Sequence, residues 1–488
     1  MAGRPTHNKR YILNSIFMAI SVIVMCYMIV LSQTTNHKLL KSIYIFVAVF
    51  LLVFLLYIAY SIAYRMIFVD SFTLGKNATW VMTKCHPLAA KKKLGAYTSL
   101  FTNIKEFKYF NQRFGTSVAD RILQLYSKQI SLFVKQAKGF CGRLGGDNFF
   151  IVIPNEQFEF VIQYLKNTPI EITVDEQLYK LRIKARAGIY RFNADTDFKN
   201  LIFYSNIAFG YAKENFLDFV EFEPSMLTEY VREKKFVADI QRALKEDEYI
   251  PYYQPKVNVK TNTISGAEAL VRWRRKGELI PPTEFVHALE KAGVIDEIDF
   301  RVFEKVCSDI RKWIDSGIEP VRISTNFSKL NLKNPDFIHR IIEIKDKYNI
   351  DGKYLEVELT ESAGVTNFDV IQQFAQEIKA AGMSVAIDDF GTGYSSLSML
   401  QTVLADVVKM DKSFLDNCFQ DDGDGKQFIV DVITIVRHQN SEVLFEGVET
   451  LEQLEFLREY DCDTIQGFYF DEPLPHDVFQ KRLLNPKY

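Results

Sequence analysis

The chain opens on two uninterrupted apolar stretches. Residues 11–31 carry no charged side chain, and neither do residues 42–64. A helix needs roughly 20 apolar residues to cross the hydrocarbon core of a bilayer, so each stretch predicts a membrane-spanning helix. A cleaved secretion signal does not describe the first: its apolar stretch is too long, and no small-x-small cleavage site follows. Arg4, Lys9 and Arg10 precede the first stretch and Arg65 follows the second, whereas the connection holds only Lys38 and Lys41. That bias places both termini in the cytoplasm. The connection, about residues 32–41, is too short to fold as a sensing domain. Input then comes through the helices, this loop or partner proteins.

Beyond residue 64 the pattern changes to short strands and amphipathic helices. Residues 65–93 read as a juxtamembrane linker, and its run Lys91-Lys92-Lys93 as a solvated or headgroup-facing patch. Within residues 94–226, strand-like stretches at 97–104, 148–154 and 180–192 alternate with helix-like ones at 117–134 and 200–215. This predicts an α/β domain around a central sheet. A connecting helix is expected within residues 227–248.

From residue 249 to 488 the alternation becomes regular. Strand-like pieces fall at 249–257, 265–273, 321–327, 355–360, 384–389, 406–411, 443–448 and 464–468, with helix-like stretches between most of them. Eight strands in βα repeats predict a TIM-like (β/α)8 barrel. Only a short polar connection separates the first two, which predicts a hairpin and a first strand antiparallel to the others. The fold class is therefore α/β, with two transmembrane helices, a central-sheet domain and a C-terminal barrel.

Composition narrows the function. A chain of 488 residues exceeds one ordinary domain. A net charge of −2 provides no basic field, which excludes nucleic acid as a partner. Six scattered cysteines with no Cys-x-x-Cys pair argue against a disulfide framework or a zinc site and fit a reducing compartment.

In a TIM barrel, chemistry gathers at the C-terminal ends of the strands. Those ends carry Glu268, Asn326, Glu358, Asp388 with Asp389, Lys409 with Asp411, Glu446 with Glu449, and Gln466. The pair Asp388-Asp389, before a Gly-rich turn, is the sharpest feature. Adjacent carboxylates repel unless a cation lies between them. An isolated Asp-Asp before Gly is commonly a polar turn, and one acid at a strand end is commonly a cap or a salt-bridge partner. A succession of consecutive strand ends with polar groups favours the metal reading. Carboxylates and one amide oxygen, without His or Cys, suit Mg²⁺ or Mn²⁺. The number of acids suits two ions, which clamp a phosphoryl oxygen and generate hydroxide for in-line attack.

These residues sit in strings that resemble the EAL family of cyclic di-GMP phosphodiesterases. The name string is Glu268-Ala269-Leu270 inside EALVRW, with YQP at 253–255, NFS at 326–328 and ELTES at 358–362. DDFGTGYSSL, KMD, EGVET and QGF follow in the family's order and cover about half the chain. The resemblance implies two Mg²⁺ or Mn²⁺ ions on Glu268, Asn326, Glu358, Asp388 and Asp389, with Asp388 bridging. It further implies that Glu446 lies beside the attacking water, that Lys409 positions or activates it, and that Asp411 assists. Gln254, Leu270, Arg272 and Gln466 would line the substrate groove, with Arg272 on a phosphate. Glu361 would anchor the DDFGTGYSSL loop that couples a homodimer interface to the metals, and Glu449 would support it. Phe445, where the family has a small residue, and Glu472, where a basic one is common, are departures that remove no ligand.

The preceding domain resembles the GGDEF family of diguanylate cyclases. Its signature stands as Gly145-Gly146-Asp147-Asn148-Phe149, with FKYFN at 107–111 and YAKEN at 211–215. Alone, the signature could be an ordinary hairpin turn. Asn148 replaces an acid, while Asn103 and Lys105 replace the two acids of the metal-binding string. An amide and a cation in place of anionic ligands remove the negative charge that the metal of Mg²⁺-triphosphate needs, so cyclase activity is not expected. The entry string and the upstream inhibitory site are also missing, with Gln136 and Gly139 at the latter's positions. Asn111 and Asp120 stand at the guanine-reading positions, which leaves GTP sensing or dimerisation as roles. The resulting expectation is an inner-membrane phosphodiesterase that converts cyclic di-GMP to linear pGpG. A non-hydrolysing cyclic di-GMP receptor and a membrane scaffold remain the alternatives.

Overall fold

The computed structural model describes residues 5–174, 176–193, 197, 200–360, 368–391, 396–418 and 424–488. The chain divides into two compact units, Met1–Tyr230 and Val231–Tyr488.

The first unit begins with helices Pro5–Thr34 and Lys38–Phe68. Among the described residues, Lys38–Phe68 alone is long and apolar enough to cross a membrane; the apolar helical part of the first is Ala19–Thr34. The turn between the helices is residues 35–37, tighter than the 32–41 connection expected. Lys38, Lys41 and Arg65 are good helix formers, so the backbone ladder continues through them past the charge-free stretches.

The presumed linker is partly folded. Helix Ala78–Ala90 is capped by Asn77, whose side chain accepts from the Trp80 N–H. Its Val81 and Cys85 share a buried cluster with Phe150 and Val152, so the sheet domain begins before residue 94. The strands are β1 (Tyr97–Ile104), β2 (Phe140–Gly145), β3 (Asn148–Pro154), β4 (Thr168–Val174), β5 (Gln177–Ile183), β6 (Ala185–Arg191) and β7 (Phe219–Glu221). Five of them form a sheet ordered β2-β3-β1-β6-β7, while β4 and β5 pair apart as a hairpin. Phe149, Ile151 and Ile153 of β3 face a cluster with Ile122 and Tyr126 of helix Thr116–Gln136. Phe150 and Val152 face the opposite cluster. Burial on both faces explains the unbroken apolar run of this strand.

The single strand expected over 180–192 is two strands. Lys184 interrupts it, and its carbonyl accepts from the Lys105 N–H. The chain leaves the β4–β5 hairpin at that point and enters the main sheet, so one sequence run serves two sheets.

The second unit is a closed barrel. β8 (Tyr249–Asn258) pairs antiparallel with β9 (Thr263–Arg275), which β10 (Glu278–Ile280) extends as a hairpin. β11 (Arg322–Asn326), β12 (Leu355–Thr360), β13 (Ser384–Phe390), β14 (Val407–Met410), β15 (Glu442–Phe445) and β16 (Thr464–Ile465) follow parallel to β9. β16 closes antiparallel on β8, and a short β17 (Leu474–Pro475) also pairs with β8. The eight-stranded barrel and its reversed first strand are as the pattern predicted.

Strand alternation sorts the side chains. Ile323, Val357, Val385 and Val408 point outward into one core with Phe303 and Trp313 of helix Asp296–Asp315. Their strand neighbours Glu358 and Lys409 point into the barrel, where they are buried and charged.

Candidate active site

The register of the ladders gathers the predicted acids at one end of the barrel. Glu268 stands opposite Gln254 on β8 and Ser324 on β11. Asn326 stands opposite Glu358, and Thr360 opposite Asp388. Lys409 is at the centre, 1% exposed. Its Nζ lies 3.1 Å from Glu268 Oε2, 2.7 Å from Glu358 Oε2, 2.9 Å from Asp388 Oδ1 and 2.8 Å from Glu446 Oε1. Asn326 Nδ2 donates to Glu268 Oε1 at 2.6 Å. Gln466 Nε2 donates to Glu268 Oε2 at 2.8 Å and to Gln254 Oε1 at 3.0 Å.

Consecutive strand residues ordinarily face opposite sides, which would send Asp388 and Asp389 apart. Asp389 instead has φ +55, and the β13–β14 register shifts between Ile387 and Phe390. This bulge at the barrel rim turns both carboxylates to the same side. The left-handed backbone is unfavourable for a residue with a Cβ, and it sits where the acids meet.

The ligand geometry fits a pair of hard cations. One group comprises Glu268, Glu358 and Asp388, each with a carboxylate oxygen within 4.8 Å of the others. A second comprises Asp388, Asp389 and Glu446 on the same criterion, so Asp388 belongs to both. The electrostatics point the same way. Burial pushes the carboxyls of Glu268, Asp388 and Asp389 up, with Lys409 pulling the other way. Burial also raises Glu446, to about 8. Glu358 is lowered to about 2, because Lys256 and Lys409 outweigh the effect of its burial. Against its own burial, Lys409 is raised well above the ordinary range by Asp388, Glu268, Glu358 and Glu446. Five acids surround Lys409, and Lys256 divides its charge between Glu356 and Glu358, which leaves an excess of acidic groups that a divalent cation offsets.

Arg272, half-buried, donates to the Val271 carbonyl and lies 5.7 Å from the Tyr252 ring centre, beyond half-buried Leu270. Asp411 accepts from the Ser413 N–H at 2.9 Å, and Glu449 pairs with Lys412 at 2.7 Å near the surface. Neither is among the carboxylates holding Lys409. Glu361 lies outside the described residues.

Sequence reading missed Lys256 and Glu356. Lys256 Nζ lies 2.8 Å from Glu356 Oε1 and 2.9 Å from Glu358 Oε1, all three buried. The available signal was period two: Lys256 follows Gln254 on the inner face of β8. Asp299 was missed as well. Its Oδ2 accepts from the Ser328 N–H at 2.9 Å and from Asn331 Nδ2 at 2.8 Å, bracing the loop after β11.

In the first unit, Asn103 on β1 stands opposite Asn148 on β3, so two replaced acids are cross-strand neighbours. Asn103 Oδ1 is buried without a hydrogen-bond partner. Lys105 pairs with Asp218 at 2.6 Å, and Gly145 and Gly146 make the hairpin turn with φ +141 and +55. Burial raises Asp147. Two amides and a lysine at the former ligand positions do not fit a triphosphate-bound cation. Asn111 and Asp120 are half-buried, on helices Phe107–Phe114 and Thr116–Gln136.

Comparison with known proteins places both units. The EAL domain family matches residues 237–473, and the family described as diguanylate cyclase, GGDEF domain matches residues 83–216. The signaling protein YkoW of Bacillus subtilis is 31% identical over 396 residues, which cover 79% of this chain and 48% of that protein. The bifunctional diguanylate cyclase/cyclic di-GMP phosphodiesterase MucR of Pseudomonas aeruginosa is 29% identical, over 78% of this chain and 56% of its own. The chain thus spans about half the length of these curated relatives. A solved structure, the PaMucR phosphodiesterase in its c-di-GMP complex, is 31% identical, covering 50% of this chain and 99% of that one, with a TM-score of 0.48.

Proposed function

The chain belongs to the GGDEF–EAL family of cyclic di-GMP signalling proteins, and from that premise we propose that its barrel hydrolyses cyclic di-GMP to linear pGpG. The observation that carries this reading is the sharing of Asp388 between two acidic groups. The metal ligands are Glu268, Asn326, Glu358, Asp388 and Asp389, and the ions are Mg²⁺ or Mn²⁺. When bound, the cations supply Lewis-acid stabilisation of charge on the phosphoryl oxygens.

The chain's own groups do the rest. Glu446, which shares the second acidic group with Asp388 and Asp389 and lies 2.8 Å from Lys409, is the carboxylate placed to take the proton of the attacking water. Lys409, held by four carboxylates, is placed to donate to that water or to the phosphoryl oxygen and so to position or activate the water. Arg272 presents a planar donor fork to a substrate phosphate, and Gln254, Leu270 and Gln466 line the groove beside it. Asp411 fixes the turn after β14 through Ser413, and Glu449 supports the same turn through Lys412.

Residues 249–488 form the catalytic domain, 78–226 a degenerate GGDEF domain and 1–64 a two-span anchor in the inner membrane, with the soluble domains in the cytoplasm. The apolar helix Lys38–Phe68 supports the anchor. The degenerate domain serves its neighbour either as a GTP sensor through Asn111 and Asp120 or as a dimerising element, and the barrel pairs as a homodimer. The test is a Glu268→Gln variant of the full chain, assayed for pGpG by chromatography. Loss of turnover with retained folding is expected, and unchanged turnover would overturn the assignment.

A further inference from the structure

The barrel interior holds a lysine that the proposed chemistry leaves without a role. Lys256 is 5% exposed, one layer below Lys409 along the axis, and its ammonium bridges Glu356 and Glu358. The two oxygens of Glu358 are thereby divided: Oε1 accepts from Lys256 at 2.9 Å and Oε2 from Lys409 at 2.7 Å. Below, the network continues. Glu356 Oε2 lies 3.1 Å from Arg322 Nε, and Arg322 Nη2 donates to Glu442 Oε2 at 2.6 Å. Glu442 Oε1 accepts from Thr464 Oγ1 at 2.6 Å. Charged side chains on β11, β12 and β15, with the Thr464 hydroxyl on β16, therefore hold Lys256 in place.

A carboxylate with one oxygen pinned from beneath has one orientation left for a cation above. We propose that Lys256 is a positioning residue that orients Glu358 and thereby sets the affinity of the barrel for its divalent cation. The inference rests on the cation site proposed above. Groups that orient a metal ligand by hydrogen bonding typically change metal affinity by about 10–100-fold when removed. In Lys256→Met, Glu358 Oε1 loses its Lys256 donor and the carboxylate is held from one side alone, through Oε2 by Lys409. In Glu356→Gln, the Lys256–Glu358 bond is kept.

The test is calorimetric titration of Mn²⁺ into the purified full chain and its variants, with thermal unfolding as a check of folding. Lys256→Met should bind Mn²⁺ about tenfold or more weakly. Glu356→Gln should bind within a few-fold of the unaltered chain. If Lys256→Met does not fold, because it leaves Glu356 unpaired, the double variant Lys256→Met with Glu356→Gln removes that charge and should show the same weakening. Unaltered affinity in whichever of the two lysine variants folds would overturn the proposal while leaving the cation site intact. No Mn²⁺ binding by the unaltered chain would remove both.

Discussion

The groups that decide function here are few, and each has a distinct expected signature. Asp388 is common to both acidic groups, so Asp388→Asn should lower turnover at least about a thousandfold, as loss of several kcal/mol of charge stabilisation requires. Steady-state rates at saturating Mn²⁺ check this. Asp389 combines a place in the second acidic group with an unfavourable backbone. Asp389→Gly should raise the melting temperature, by about 1 kcal/mol of added stability, while turnover falls. Parallel unfolding and activity measurements separate the two effects. Asp299 supplies a pH dependence. Burial raises its carboxyl to about 8, above the ordinary 3.8, so the folded state retains a proton that the unfolded chain releases. Its contribution to stability therefore falls as pH rises from about 4 to about 8. Both hydrogen bonds end on Oδ2, an acceptor that Asn also offers. Asp299→Asn should flatten this dependence and be more stable by about 1–2 kcal/mol at pH 8, as urea unfolding at pH 5 and pH 8 would show. The strand-end acids were legible because period two and the βα repeat assign them to one face. Lys256 and Asp299 were not: a lysine inside a strand and an aspartate inside a helix resemble solvated charges until their partners on other strands and loops are placed.

Among the elements, the barrel strands were the most legible, because each is a short apolar run between helices, and a polar connection too short for a helix forces a hairpin. The bulge in β13 was not, since Ser384–Phe390 reads as a short apolar run that ends in two acids, with nothing local to mark an extra residue. It comes from the ladder with β14, which resumes one step out of register. The break at Lys184 had the same origin, a change of partner strand rather than a change of local propensity. Helix Ala78–Ala90 was hidden in a stretch of weak periodicity, and its burial against β3 is tertiary. Close approach of elements is testable at Gly188 on β6. A Cβ there would collide with the Phe209 N and the Ser205 O of helix Leu201–Glu214. Gly188→Ala should destabilise the first unit by about 3 kcal/mol, read as an earlier transition in chemical unfolding. Turnover by the barrel in dilute denaturant reports whether the two units unfold together.

For the whole molecule, the order of the segments was read from the pattern of apolar and polar positions: apolar helices, then a sheet domain, then a barrel. Anchoring is a separate claim with a separate readout. The full chain should sediment with membranes and resist alkaline extraction, whereas a chain lacking residues 1–64 should remain in the supernatant. The central claim is that the barrel cuts cyclic di-GMP with divalent cations on shared acids. The direct measurement is cyclic di-GMP turnover by the purified full chain with Mg²⁺ or Mn²⁺, with and without chelator, the products being resolved by chromatography. Cation-dependent production of linear pGpG, abolished by chelation, is the predicted result. Tight binding of cyclic di-GMP with no linear product under either cation would contradict the account.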